Sequence, residues 1–220
     1  PEHIAGLVLL NVIDLKLVKA VAGLYGLGCI NVANTMFRNI MELPRDDREL
    51  PFMKHNLPVL RAKSMNEEWL VDWVKSNDID LVINLRTRCI YKEPILSAPR
   101  LGCLNIHHGI LPTYRGTLCD LYALSEDRPA GFTIHGMVKK IDAGRIYHAE
   151  EVSDGSESDY IRYLSQTAYR EGVALADLIE KVVEKGTLPE GEPNTTDKVV
   201  FTKTPQRPEI LKLKALGMRL

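Results

Sequence analysis

Apolar and polar positions alternate along this chain in two rhythms. One has the period of a helix, the other the period of a strand. The continuously apolar run HIAGLVLL at 3–10 has the length of a buried strand, and LPVL at 57–60, DLVINL at 80–85 and CLNIH at 103–107 read as further short strands. In AGFTIHGMV, 130–138, Phe132, Ile134 and Val138 fall on one face and Thr133, His135 and Met137 on the other. RIYHAEEV, 145–152, is predicted to pair beside it, antiparallel across a turn containing Asp142 and Gly144.

Helical spacing fills the intervals. Leu17, Val18, Val21, Leu24 and Tyr25 predict a helix over 14–28, stopped by Gly26 and Gly28. Ser64 and Glu67 form a capping-box signature for a helix through Ser76, with Leu70, Trp73 and Val74 inward. Pro94 and Pro99 flank a short helix or turn, 117–127 reads as a helix, and a long helix over about 157–185 carries Leu175, Leu178, Ile179 and Val182. Residues 42–56 and 186–197 read as a loop and a linker. A strand at 199–202 and a helix near 208–216 follow.

Strands alternating with helices predict an α/β fold, with an open, mostly parallel sheet flanked by helices. The late pair of strands predicts a mixed edge. The expected division is 1–188 as the main domain and 189–220 as a C-terminal linker, strand and helix.

Composition narrows the function classes. The 220 residues are 45% hydrophobic and 26% charged, with a formal net charge of -1. That is the balance of one globular domain, without the basic footprint of a nucleic-acid binder. No apolar run reaches the length of a membrane span, and the first residues lack the marks of a signal peptide. Cys29, Cys89, Cys103 and Cys119 make no CxxC pair, which fits free thiols in a reducing cytoplasm. The apolar segment ILKLKALGMRL at the end leaves two partners open: the domain itself, or a second copy in a homodimer.

The chemistry concentrates in LNIHHGILPTYRG, 104–116. In an open α/β sheet the working site lies beyond the carboxyl ends of the strands. Asn105 and His107 alternate on one strand face there, and Asp142 is a plausible neighbour from the turn after 130–138. An amide, an imidazole and a carboxylate converging on one point can stabilise an oxyanion and move a proton. Each alone also has an ordinary role as turn former or hydrogen-bonded structural residue. His107, His108 and His135 lack the spacing of metal ligands. The glycines of GLYGLG end a helix rather than follow a strand, against a dinucleotide fingerprint. No GxSxG elbow supports a serine hydrolase.

The same stretch resembles the signature of the folate-dependent formyltransferase family, in which Asn-x-His opens a loop ending in Leu-Pro and often Arg-Gly. FTIHGMVKKIDAG resembles the family's Thr-x-His strand followed by Asp-x-Gly. The resemblance covers roughly 57–185. It implies a Rossmann-like fold that starts at the second strand, with the first β-α unit lacking. It implies transfer of a formyl group from 10-formyltetrahydrofolate, a co-substrate, to an amine, with no metal. The catalytic trio then maps onto Asn105, His107 and Asp142. The pterin would lie between Cys89, Ile90, Tyr91 and Lys92 on one side and Val138, Lys140 and Ile141 on the other, with Arg88 and Lys92 near the folate glutamate. On this reading Asp142 holds His107 cationic. His135 supports the group, His108 faces away, and Tyr114, Arg115 and Gly116 shape the loop or meet the acceptor.

Two features depart from the pattern: Gly109 stands where Ser is frequent, and RTRCIYKEP is polar for a pterin wall. The implied acceptor is a small amine, an amino-sugar nucleotide or an amino-acid derivative. Alternatives are a formyltetrahydrofolate hydrolase, a methionyl-tRNA formyltransferase-like protein, which the charge balance disfavours, and a folate-binding relative without turnover.

Overall fold

The computed structural model describes residues 2–10, 15–41 and 48–220. The N-terminal part holds β1 (Leu7–Leu10), α1 (Leu15–Gly26), α2 (Ile30–Ile40), α3 (Leu50–Lys54) and β2 (Val59–Ala62), and β1 pairs with β2 in parallel. After α4 (Glu68–Ser76) come β3 (Val82–Asn84), α5 (Glu93–Leu96) and β4 (Cys103–His107). The loop then forms β5 (Tyr114–Gly116) and enters α6 (Cys119–Ser125). Strands β6 (Ala130–Gly136) and β7 (Ile146–Ser153) precede the long α7 (Tyr160–Lys185), and β8 (Val200–Thr202) and α8 (Arg207–Ala215) end the chain.

The predicted mixed character is present. A four-stranded sheet runs β3-β4-β6-β7, parallel between β3 and β4 and antiparallel through β6 and β7. A further parallel pair joins β5 to β8.

Four expectations need correction. The run 3–10 contributes a strand only from Leu7, and its residues are half-buried, since β1 pairs on one side alone with β2. On α1, Val21 is buried but Val18 and Tyr25 stay exposed. The expected loop 42–56 contains α3, which Pro51 can start because its missing N–H falls where a helix has no acceptor for it; residues 42–47 lie outside the described part. The capping signature also works differently. Glu67 accepts the N–H groups of Lys63 and Ser64, and the helix begins after it.

The core explains the placing of the polar residues. Leu104 and Ile106 of β4 join Phe132 and Ile134 of β6 under Ala174 and Leu178 of α7. Strand alternation sends Cys103, Asn105 and His107 to the opposite face. Register then sets Asn105 against His135 and His107 against Thr133. Four polar side chains thus become cross-strand neighbours on one face, opposite a wholly apolar one. The C-terminal segment packs on the domain itself: Leu213, Met218 and Leu220 are buried with Tyr160, Tyr163 and Cys29.

Candidate functional site

Asn105, His107 and Asp142 come together, and His135 stands among them. Asp142 Oδ1 lies 3.8 Å from His107 Nδ1 and 3.7 Å from His135 Nε2. Asn105 Nδ2 is 3.1 Å from that same His135 Nε2. His107, His135 and Asp142 are buried, whereas Asn105 is half-buried.

The hydrogen bonds fix proton positions. His135 Nδ1 is 2.8 Å from the Gly136 carbonyl, so it carries the proton and donates. Burial lowers the His135 pKa to about 4, only partly offset by that bond, so the ring is neutral near pH 7. Its Nε2 lone pair therefore accepts from Asn105. This orients the amide and leaves the second amide N–H of Asn105 for another acceptor. His107 Nε2 donates to the Tyr114 carbonyl at 2.8 Å, so Nδ1 is the nitrogen turned to Asp142.

The expectation of a His107 held cationic by Asp142 does not survive. Burial, the largest influence, lowers its pKa; Asp142 pulls the other way without overcoming it, and the neighbouring His108 lowers it further. A buried imidazole with one carboxylate at 3.8 Å loses more by desolvation than it regains.

Asp142 sits at φ 51°, in the left-handed region, and accepts the Gly116 N–H at 3.0 Å through Oδ2. Gly144 closes its turn because a Cβ there would lie 1.9 Å from the Gly136 carbonyl oxygen. Arg115 is buried, and its guanidinium donates to Pro112 O and to both oxygens of Asn194. The Tyr114 ring lies under Arg128, 4.7 Å from its guanidinium carbon.

Sequence reasoning missed Asn194, Cys119 and Thr202. Asn194 lies in the stretch read as a linker, yet it is buried and donates to the carbonyls of Asp142 and Gly144. The segment is docked rather than free because its polar groups complete the turn's hydrogen bonds; the neighbouring Glu192 exchanges backbone bonds with Ile146. Cys119 Sγ is 3.7 Å from His107 Nε2 and 3.1 Å from Thr202 Oγ1. Burial pushes its thiol up to about 12. A Pro-Asn pair in a Gly-rich stretch carries only a turn signal, so spacing alone would not have found these contacts.

His108 faces away, as alternation requires. Its Nδ1 is 2.8 Å from Asp120 Oδ2 and its Nε2 2.6 Å from Glu171 Oε1. Burial opposes its charge, but the two carboxylates outweigh burial and its pKa is pushed up to about 9.

On the expected folate walls, Ile90, Val138 and Ile141 are apolar yet at least half exposed, and Lys92 and Lys140 are exposed. Tyr91 points into the core, leaving its backbone as the available surface. The Asn66 amide holds this backbone, donating to Ile90 O at 2.9 Å and accepting from Lys92 N at 2.7 Å. Among the described residues, no group of three His, Cys, Asp or Glu side chains is arranged to hold a metal ion, and no helix is long and apolar enough to cross a membrane.

Comparison with known proteins shows the family of the chain. A methionyl-tRNA formyltransferase from Thermotoga maritima is 38% identical over 102 residues, 46% of this chain and 32% of the relative. One from Bacillus licheniformis is 30% identical over 63% of this chain and 44% of the relative. The chain thus spans about a third to a half of the length of these curated relatives.

Solved structures share the fold. A sugar N-formyltransferase from Shewanella has TM-score 0.56 at 17% identity, covering 96% of this chain and 87% of that one. The formyltransferase PseJ from Anoxybacillus kamchatkensis, solved with a UDP-linked formamido sugar and tetrahydrofolate, has TM-score 0.53 at 21% identity, covering 84% and 89%. The family model described as formyl transferase matches residues 37–176, a stretch that contains the whole Asn105–His107–Asp142 group and well over half of the sequence; the chain belongs to the formyl transferase family.

Proposed function

We propose that the chain transfers a formyl group from 10-formyltetrahydrofolate to the amine of a small acceptor, an amino-sugar nucleotide or an amino-acid derivative. The observation that carries the reading is the joining of Asn105, His107 and Asp142 through shared contacts on one strand face. The exposed apolar side chains of Ile90, Val138 and Ile141 suit a flat pterin, and the backbone of 90–92 is held for it by Asn66. A net charge of -1 provides no basic field for a polyanionic acceptor.

The folate supplies an activated formyl group. Attack by the amine on the formyl carbon places negative charge on the formyl oxygen. The free N–H of Asn105 donates to it; loss of one such donor costs about 3–4 kcal/mol of transition-state stabilisation. His107 is neutral at rest and turns Nδ1 to Asp142, so the pair can take up the proton released by the attacking amine. Asp142 stabilises the imidazolium that forms. The proton then passes to the departing folate nitrogen.

The experiment follows appearance of tetrahydrofolate from 10-formyltetrahydrofolate across a panel of amines: UDP-amino sugars, amino acids, methionyl-tRNA and no amine. Methionyl-tRNA is included because relatives so named match at 30–38% identity. The expected result is amine-dependent turnover that falls at least about 100-fold in Asn105→Ala. Equal turnover without amine identifies a hydrolase. Turnover with methionyl-tRNA alone rejects the small acceptor. Folate binding without turnover on any acceptor overturns transfer.

A further inference from the structure

We infer that Asn194, with Arg115 behind it, is a positioning residue that sets the Asp142 carboxylate. The inference rests on the catalytic reading of Asp142 and extends it to a side chain outside the family match at 37–176.

Asn194 is buried and its side chain is fully engaged. Nδ2 donates to Asp142 O at 3.1 Å and to Gly144 O at 2.8 Å, so it bridges the two ends of the three-residue turn. Oδ1 accepts from Arg115 Nη2 at 3.2 Å, and the same nitrogen reaches the Asn194 carbonyl at 3.1 Å. The segment is pinned on both sides, by Glu192 against Ile146 and by β8 against β5.

A turn held this way has a reason to need it. Asp142 adopts φ 51°, which costs a non-glycine residue free energy and persists only where surrounding contacts over-determine it. The Gly116 N–H holds one carboxylate oxygen, and Asn194 holds the backbone that carries the side chain. Together they leave Oδ1 facing the imidazoles of His107 and His135. Arg115 belongs to the loop whose Tyr114 carbonyl orients His107, so one buried amide couples the two halves of the site. Without Asn194 the turn can relax and carry the carboxylate away from His107.

The test uses Asn194→Asp and Asn194→Ala in the full chain. Asn194→Asp keeps the acceptor for Arg115 but sets an oxygen against two carbonyls. Long-range proton–nitrogen spectra of the imidazoles at neutral pH require no substrate. The His107 Nδ1 resonance is expected to move in Asn194→Asp, while the His148 resonances stay. In the formyl-transfer assay, kcat is expected to fall about 10–100-fold, with KM for the folate within about threefold, because a misplacement of the order of an ångström has that effect on rate. In an Asp142→Ala background, Asn194→Ala is expected to cost less than about twofold. Should Asn194→Ala not fold, Asn194→Asp and its spectra decide the matter. An unmoved His107 resonance with unchanged kcat, or equal losses with and without Asp142, overturns the inference. Wild-type turnover in Asp142→Ala defeats the catalytic reading itself, a separate result.

Discussion

His107 and His108 are adjacent residues with opposite electrostatic surroundings. His107 points to the face where β4 meets Thr133 and His135, with one carboxylate at 3.8 Å, and burial holds it neutral. His108 points to the other side, between Asp120 and Glu171, with Arg86 Nη1 3.0 Å from its ring, and stays charged to about pH 9. Both are largely buried. The difference lies in the number and closeness of carboxylates, not in burial. An ion cluster with close partners rigidifies the end of β4. The more weakly paired imidazole one residue earlier keeps the capacity to accept a proton. The comparison teaches that strand alternation alone can set a neutral imidazole beside a charged one.

Exchanging the roles is the strongest way to break this comparison. His107→Asn should lower formyl transfer by about 10³-fold or more, within the range for loss of a general base, and leave thermal unfolding within a few degrees. A His107→Asn protein that loses many degrees of Tm yet turns over like the parent would reverse the assignment.

On the other side the effect should be on stability. Glu171→Ala leaves His108 with one carboxylate in a buried setting, and breaking a buried pair costs about 3–5 kcal/mol. For a chain of this size, Tm should drop by roughly 10 °C, with kcat within about threefold. Calorimetry and the transfer assay on one preparation separate the two. A stable but inactive Glu171→Ala would draw the ion cluster into the site.

The two histidine environments also predict a peak in stability against pH. His108 is raised to about 9 from 6.5, so its contribution is complete below pH 6.5 and is lost as pH rises through 9. His135 is lowered to about 4, and the unfolded chain binds its proton more readily. Stability therefore falls as pH drops from 6.5 toward 4, with His107 acting in the same direction. The His108 and His135 shifts each correspond to roughly 3 kcal/mol, and His107 adds to the acid limb. Urea unfolding across pH 4–10 should show a maximum near 6.5, and His108→Gln should flatten the alkaline limb. A profile without the alkaline limb would contradict the His108 assignment, and one without the acid limb that of His135 and His107.

Much of this arrangement was legible in the sequence. Short-period signals carried β3, β4, β6 and β7, because alternation on β4 and β6 is a local property that packing reinforces; β5 lay in the stretch read as a loop. The meeting of Asn105, His107 and Asp142 followed from strand position together with two motifs of a recognisable family. Proton occupancy was not legible: a carboxylate beside a histidine suggests a cation, and the balance turned on how many carboxylates stand close enough to offset burial. Asn194 was invisible for a different reason. Its partners, Arg115 and Asp142, are 79 and 52 positions away, and a polar residue between Pro and Thr looks like any turn. The helix α3 was hidden because Pro51 reads as a loop marker when it can equally begin a helix.

The finest test concerns Gly109, which follows the two histidines along the chain. A Cβ at this position would lie 2.7 Å from Cys119 Cβ and 2.8 Å from His107 Nε2. Cys119 thus fills the space that a side chain at 109 would need, which accounts physically for glycine where serine was expected. Gly109→Ala forces one of these neighbours to move. Overpacking of this kind costs about 1–3 kcal/mol, and here the yielding group is the ring whose Nε2 bonds to Tyr114 O. Turnover should fall about tenfold with a modest loss of Tm. None of the three nearest atoms belongs to His108, Asp120 or Glu171, so the alkaline limb of the stability profile should keep its midpoint. If that limb moves while turnover does not, strain at 109 travels toward the ion cluster, and the two histidines are mechanically coupled rather than insulated by the strand.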